Sequence, residues 1–408
     1  MMAHRNLVGA RPRRSLAAGL TLSVGLTGCL RTEAPVRAPE PAVALGPWVL
    51  SPRPTQATVA WTTAEPSVGE VAYGTTAALG SVAREKTATA RTEHRVVLPE
   101  LAPLSRYLYR VEAEVPAAGS FSTAADPSAN VDRPFRVLVY GDNRSNGGDH
   151  ELLARAASAE PVQLALHTGD MVVNAKDEHL WSEWFDAERE LLSRTALVPT
   201  VGNHEITDRG AAYARHFLEP GKPVWQSIDF GPVHLLVLDS FEESAGADPH
   251  QGGISDAQRA WAEADARKLK TEQHLWLLVH QGPHSHPLRP RPGHGGSEPV
   301  RRLVASLMRI HPVEAIWAGH EHFYERGNIE GMRYFVVGGG GAPLEDPDAA
   351  VPGVQAARKA LSYVVVDVCG CHVTGKAKDI FGNVLDSFTL ADCPVSCGPR
   401  TTNASGAK

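Results

Sequence analysis

Cysteine is scarce in this sequence: five residues in 408, with none between positions 30 and 368. That gap removes thiolates from the ligand chemistry of the whole central region. No His-Glu-x-x-His run occurs either, which argues against a peptidase of the helical zinc type. Lysine and arginine form no dense track and the formal net charge is −6, so no nucleic-acid partner is expected. The run Gly338-Gly339-Gly340-Gly341 follows an apolar stretch, but no Lys-Ser or Lys-Thr comes after it. It therefore reads as a tight turn rather than a phosphate loop. Beyond the first 30 residues, no stretch approaches the ~20 apolar residues of a bilayer span.

What the sequence does contain is a repeated layout of an apolar run, often a glycine, and then a metal-binding residue type. Residues 135–140 stop at Gly141-Asp142-Asn143-Arg144, and residues 164–168 at Gly169-Asp170. Residues 197–201 stop at Gly202-Asn203-His204-Glu205, 275–279 at His280, and 313–318 at Gly319-His320-Glu321-His322. Open sheets place ligand sites at the carboxyl ends of their strands, and glycine lets the backbone turn closely there. Two carboxylates, an amide oxygen and three imidazoles suit Zn, Fe or Mn. A plain strand would carry His320 and His322 on one side, and a turn just past its end would aim them at two ions in one pocket.

This order of motifs resembles the calcineurin-like metallophosphoesterase superfamily, and residues 319–326 are most similar to its purple acid phosphatase branch. The resemblance covers roughly residues 136–390. It implies two divalent or trivalent metal ions, with Asp170 bridging them. It assigns Asp142 and His322 to the first ion, and Asn203, His280 and His320 to the second. His204 would be no ligand but the proton donor to the leaving group, with a helix-start residue bonded to backbone as the alternative. Two cations can clamp the attacking and leaving oxygens of a phosphoryl displacement, and an imidazole titrates in the range that such proton donation needs.

Two positions depart from the family pattern. Arg144 stands where many superfamily members carry a ligating histidine, and Val173 where purple acid phosphatases carry the tyrosine that colours them. The first site is thus more open, weaker, or completed by another group, with His150 and Asn174 as candidates, and the protein is expected to be colourless. Arg144 is either a bidentate contact for phosphate oxygens or a surface arginine. Of the loop at 281–296, His284 and His286 are expected to contact substrate, with a solvated proline-stiffened loop as the alternative.

The N-terminal end reads as an export signal. Arg11, Arg13 and Arg14 precede an apolar stretch at 16–26 and then Leu26-Thr27-Gly28-Cys29, the layout of a signal peptide. It resembles a bacterial lipobox, so a lipoprotein signal over 1–28, lipidation of Cys29 and a membrane anchor facing the periplasm or cell surface are expected. Residues 29–45, rich in proline and alanine, read as a tether. The other cysteines, Cys369, Cys371, Cys393 and Cys397, suit disulfides in an oxidising compartment. A bond within the Cys369–Cys371 pair would be strained, so pairing between the two clusters is expected; a zinc knuckle is the alternative.

The expected architecture is an N-terminal all-β sandwich over 46–125 followed by an α/β metallophosphoesterase domain over 133–391. Short alternating strands near 56–62, 68–73, 94–98 and 107–111 resemble a fibronectin type III domain, with Tyr107 at its tyrosine corner. The second domain is expected to hold two packed mixed sheets flanked by helices. Helices are expected at 150–159 and 179–192, from a Ser255 capping box to about 270, and from Ser297 to 310. Closing β-structure is expected at 364–368 and 373–387, then a tail over 392–408. The function expected is an exported phosphoesterase acting on small phosphate esters, phosphatase rather than phosphodiesterase. The alternative is a non-catalytic surface-binding lipoprotein with a degenerate metal site.

Overall fold

The computed structural model describes residues 43–113, 117–126, 134–219, 221–244 and 252–393. The signal segment, most of the tether, Cys29, Cys397, nearly all of the tail and the middle of the acidic loop at 241–253 lie outside them. Seven strands come first: β1 (Val43–Leu50), β2 (Ala57–Ser67), β3 (Glu70–Gly74), β4 (Ser81–Arg84), β5 (Arg91–Leu98), β6 (Arg106–Val111) and β7 (Ala117–Ser122). Then strands and helices alternate: β8 (Phe135–Tyr140), α1 (Gly147–Ser158), β9 (Leu164–His167), α2 (Glu178–Leu192), β10 (Ala196–Pro199), α3 (Ala211–Phe217), β11 (Gln226–Phe230) and β12 (Val233–Val237). They continue through α4 (Asp256–Ala266), β13 (His274–Leu278), α5 (Glu298–Leu307), β14 (Val313–Ala318), β15 (Tyr324–Ile329) and β16 (Met332–Val337). Four antiparallel strands close the chain: β17 (Val354–Arg358), β18 (Ser362–Cys369), β19 (His372–Asp379) and β20 (Val384–Ala391).

Nine strands form one mixed sheet in the order β20-β19-β18-β8-β9-β10-β1-β2-β5, and seven form a second in the order β11-β12-β13-β14-β16-β15-β17. Alternate residues of each strand face opposite layers, as the pleat requires. Val137 and Val139 of β8 meet Trp276, Leu278 and Trp317 between the two sheets. Leu138 and Tyr140 face outward onto α1 and α2, while Leu277 and Ile316 of the second sheet face α4 and α5. Both faces of each sheet are thus covered, which is why the parallel strands read as unbroken apolar runs.

The seven N-terminal strands split between two sheets: β1, β2 and β5 lie in the nine-stranded one, and β4-β3-β6-β7 form a third. Tyr107 Oη accepts from the Ala102 amide at 2.8 Å, the geometry of a tyrosine corner. The strands do not stand apart from the α/β segment. β1 pairs in parallel with β10, Val49 opposite Ala196, and one continuous core holds Trp61, Tyr109 and Phe121 together with Val198 and Leu235. Trp48 packs on Phe185 of α2 at 4.5 Å between ring centroids and donates to the carbonyl of His216 in α3. Strand β1 also takes in the last three residues of the expected tether. Alternation alone could not reveal this sheet continuation, because pairing partners carry no local signature.

The helices fall close to the expected positions. Ser255 accepts from the Gln258 amide at 3.1 Å, but the reciprocal half of the capping box is missing. Gln258 Oε1 accepts instead from the Asp239 amide at 2.9 Å, and its Nε2 donates to the Asp239 carbonyl and to Glu242. The cluster-to-cluster cysteine expectation is met by a Cys371–Cys393 disulfide, which ties the start of β19 to the end of β20.

Candidate metal centre

All five apolar runs singled out above end at one edge of the molecule, where the carboxyl ends of β8, β9, β10, β13 and β14 meet. Asp142, Asp170 and Asn203 come from the nine-stranded sheet; His280, His320 and His322 come from the seven-stranded one. All six are buried. The two sets are stitched across the seam by the His320 amide, which donates to both Asp142 oxygens at 3.0 and 3.2 Å.

The turns are tight. Asp142, Asp170 and His320 adopt left-handed backbone, with φ of 59°, 57° and 74°. Such strain in non-glycine residues persists only where surroundings enforce it, and it clusters at functional sites. Gly319 and Gly202 allow the approach: a Cβ on Gly319 would lie 2.2 Å from Asp142 Oδ2, and one on Gly202 2.2 Å from Asp170 Oδ1. Gly338 fits the expected turn beneath the site, since a Cβ there would meet Asp142 Oδ2 at 2.9 Å. The left-handed His320 supplies the turn expected just past the strand end. The strand stops at Ala318, and the two imidazoles are directed to different parts of the cavity.

Three acceptor atoms converge in one part. Asn203 Oδ1 lies 3.1 Å from His280 Nε2 and 3.0 Å from His320 Nδ1, and the two imidazole nitrogens are 3.3 Å apart. Asp170 Oδ1 is 3.3 Å from His280 Nε2. Each imidazole is held by its other nitrogen: His280 Nδ1 on the Thr168 carbonyl at 2.6 Å, His320 Nε2 on that of Gly293 at 3.1 Å. A carbonyl only accepts, so those nitrogens carry the protons and the inward ones present lone pairs. Donor atoms about 2.1 Å from an ion in a tetrahedron sit about 3.4 Å apart, close to these separations. Asn203, His280 and His320, with Asp170 Oδ1 beside His280, therefore offer donors at the spacing one metal ion needs, and Asp142, Asp170 and His280 bring ligand atoms within 4.8 Å of one another.

The charges agree. Burial works to lower the His280 pKa, yet Asp170 and Asp142 push it up to about 9; without a metal, a proton is the cation that this cluster attracts. Burial raises Asp142 well above the usual carboxylate range, with Asp170 adding to it. Burial also opposes ionisation of Asp170, but His280, His204 and Arg144 hold its pKa well down. Burial brings His320 to about 3 and, with Arg144 beside it, His322 to about 4; both are neutral, the ligating form, at neutral pH.

The other part of the cavity is different. Arg144 Nε donates to Asp170 Oδ2 at 2.9 Å and Nη2 to His322 Nε2 at 3.2 Å. His322 Nδ1 is spent on the Pro343 carbonyl, and Asp142 Oδ1 stands 3.9 Å from His322 Nε2. A guanidinium thus lies among the residues assigned to a first ion, so those residues do not fit a metal as they stand. Neither candidate substitute ligand reaches it. His150 Nε2 is bound to Glu188 at 2.8 Å, and Asn174 is exposed, its oxygen accepting from the Lys176 amide. The surface-arginine reading of Arg144 also fails, because its side chain is only 15% exposed.

His204 stands at the mouth. Its amide donates to Asp170 Oδ1 at 3.1 Å and its Nδ1 to the Val173 carbonyl at 2.7 Å. Nε2 is left 3.9 Å from Asp170 Oδ2, on a side chain 19% exposed. His284 and His286 lie elsewhere. His286 is bonded to Glu325 at 2.8 Å beside Tyr334, and His284 stacks on His286. The loop's nearer contributions are the Gly293 carbonyl and the His294 ring, stacked 4.8 Å over His320.

One residue that the sequence reading passed over organises two of the loops. Glu205 is buried and accepts from the amides of Gly202, Asp170, Met171 and Val172 at 2.8, 2.9, 2.9 and 3.3 Å. Burial and Asp170 push its pKa up to about 7 against those donors. Its signal was its place in the run Asn203-His204-Glu205. Glu205→Ala would leave four amides short of an acceptor. A stability loss of about 3 kcal/mol or more and a 10–100-fold weaker metal affinity are expected by denaturant titration and calorimetry; wild-type values in both would remove Glu205 from this role.

The family model described as calcineurin-like phosphoesterase matches residues 135–324. This part of the chain is a calcineurin-like phosphoesterase domain. Across a longer stretch the chain is similar to a phosphoenolpyruvate phosphatase of Allium cepa, 24% identical over 322 residues, covering 72% of this chain and 64% of that protein. It is also similar to purple acid phosphatase 1 of Ipomoea batatas, 23% identical over 63% of this chain and 57% of that protein. The chain thus spans slightly under two thirds of these relatives' length. Among solved structures, a purple acid phosphatase from yellow lupin (Lupinus luteus) seeds aligns with a TM-score of 0.70 at 19% identity, covering 88% of this chain and 77% of that one. A structure titled PhoD aligns with a TM-score of 0.69 at 12% identity, covering 90% and 95%. At those identities the likeness is one of fold. The metallophosphoesterase fold of mixed sheets therefore extends beyond the matched phosphoesterase domain.

Proposed function

We propose that the chain is a metal-dependent phosphoesterase of the acid phosphatase type. The observation that carries this reading is the convergence of Asn203, His280, His320 and Asp170 at ligand spacing, each imidazole held by its outer nitrogen. Metal bound in this cavity supplies Lewis acidity, making hydroxide available near neutral pH and neutralising phosphoryl charge. The chain's own residues do the rest. Arg144 presents a cation beside Asp170 at the cavity's open side, suited to phosphoryl oxygens. His204, fixed through Nδ1 on the Val173 carbonyl, keeps Nε2 free to protonate a departing alkoxide. Beside Arg144 opens a cavity of about 1060 Å³ lined by Val172, Leu180, Trp184 and Arg155, while the six candidate ligands and His204 stand outside its lining. The relatives named as phosphatases support a monoester substrate over a diester.

The test is hydrolysis of p-nitrophenyl phosphate and bis-p-nitrophenyl phosphate by protein loaded with Zn, Mn or Fe. Turnover that needs metal and favours the monoester is the expected result. No turnover with any of the three would instead support a second reading, a phosphate-binding lipoprotein without catalysis, which the guanidinium among the first ion's ligands favours. Val173 is 40% exposed and brings no phenolate, so iron-loaded protein should lack a strong visible charge-transfer band; a purple preparation would refute this.

The basic-apolar leader and Leu26-Thr27-Gly28-Cys29 support export as a membrane-anchored lipoprotein. Mass spectrometry of the mature chain should find Cys29 as a lipidated N-terminus, and an unmodified one would overturn the anchor. The Tyr107 corner supports a fibronectin type III-like reading of the N-terminal strands.

A further inference from the structure

We propose that Arg144 takes the place of the first metal ion, so that the centre works with one ion and one built-in guanidinium. This deepens the phosphoesterase reading and rests on it only for what the centre does, not for how many ions it holds.

Three observations carry it. First, the side chain occupies the acceptors that a first ion would need: Nε on Asp170 Oδ2 at 2.9 Å and Nη2 on His322 Nε2 at 3.2 Å, with Nη1 steadied by Ser145 Oγ at 3.1 Å. The contact with His322 is a true hydrogen bond, because its Nδ1 already donates to the Pro343 carbonyl. The lone pair aimed into the cavity therefore meets a donor, not an open coordination position.

Second, among the described residues the three positions considered as substitute ligands do not complete a set there. Val173 offers no donor atom, His150 is committed to Glu188, and Asn174 is exposed and bonded to its own loop. Of the residues assigned to that ion, Asp142, His322 and a share of Asp170 are what remains.

Third, the charges balance for one ion. The buried carboxylates Asp142 and Asp170 offset one divalent ion, and the guanidinium stands ready for the phosphoryl charge. Arginine stays cationic at every working pH and binds oxyanions through a rigid fork. A second divalent ion against it would meet like charge in a buried, weakly screened cavity. Asp170 would then stand between two cations, one of them, Arg144, covalently part of the chain.

The experiment is metal counting, independent of turnover. Purified full-length protein is incubated with excess Zn²⁺ or Mn²⁺, desalted and analysed by inductively coupled plasma mass spectrometry, with calorimetric titration as the second measure. One ion per chain is expected for the wild type. Arg144→His, which exchanges the cation for a neutral ligand next to Asp142 and His322, should raise the count to two. Two tightly held ions in the wild type would overturn the proposal, as would a wild type that binds none. A count of one that stays at one in Arg144→His would also overturn it, because Arg144 would then not be what excludes the second ion. Failure of the functional reading looks different: one ion per chain, rising to two in the variant, with no hydrolysis of either nitrophenyl ester.

Discussion

Asp170→Asn is expected to remove metal and turnover together, and it should be the most damaging change in the chain. Asp170 stands between His280, His204 and Arg144 and touches all three. One oxygen faces His280 Nε2 at 3.3 Å and accepts the His204 amide at 3.1 Å; the other accepts Arg144 Nε at 2.9 Å. The amide isostere keeps the volume but loses the negative charge that holds the Arg144 guanidinium in place and offsets a bound ion. It also turns one of those atoms into a donor, facing either His280 or the guanidinium. An unpaired buried charge costs about 3–5 kcal/mol, so a lower denaturation midpoint is expected as well. Metal affinity and kcat/KM should each fall by more than the 10–100-fold typical of losing an outer-shell partner. The check is metal content and p-nitrophenyl phosphate hydrolysis on folded protein. A variant that retains both at wild-type level would remove Asp170 from the centre and the metal argument with it.

His204→Ala should separate chemistry from metal binding. The imidazole's Nδ1 is tied to a backbone carbonyl, and Nε2 stands 3.9 Å from Asp170 Oδ2, outside the cluster of acceptors. Its loss should leave the metal count unchanged. Proton donation in a transition state contributes about 10²–10⁴-fold, and only when the leaving group needs the proton. The decrease in kcat should therefore be largest for an alkyl phosphate and small for p-nitrophenyl phosphate, whose leaving group departs as a stable anion. An equal decrease for both esters would mean that His204 positions the site rather than protonating the product. Loss of metal from the variant would make it a ligand after all.

The motifs were readable because each ligand sits directly after an apolar run, and parallel strands buried on both faces produce such runs. Local chemistry also marked the helices: Ser255 and Ser297 cap theirs, and the polar-apolar period at 179–192 marked α2. Other features depend on partners distant in sequence. Nothing near β1 says that it will pair with β10, almost 150 residues away, or that Trp48 will seat on α2. Glu205 was visible in its motif, but its function comes from amides on two loops that meet only in the folded chain. His284 and His286 were expected as substrate contacts from the family resemblance, in a loop that follows His280, yet Glu325 and Tyr334 draw His286 into a network of its own.

The sequence by itself determined the inventory of candidate ligands and the order of the strands that carry it, because these are properties of residue identity and spacing; the departures at Arg144 and Val173 came from the family resemblance. Only the tertiary structure decided where Arg144 goes. A long cationic side chain two residues past Asp142 can reach either solvent or the cavity. The choice went to the cavity because Asp170 Oδ2 and His322 Nε2, brought there by different sheets, offer buried acceptors within reach of its guanidinium.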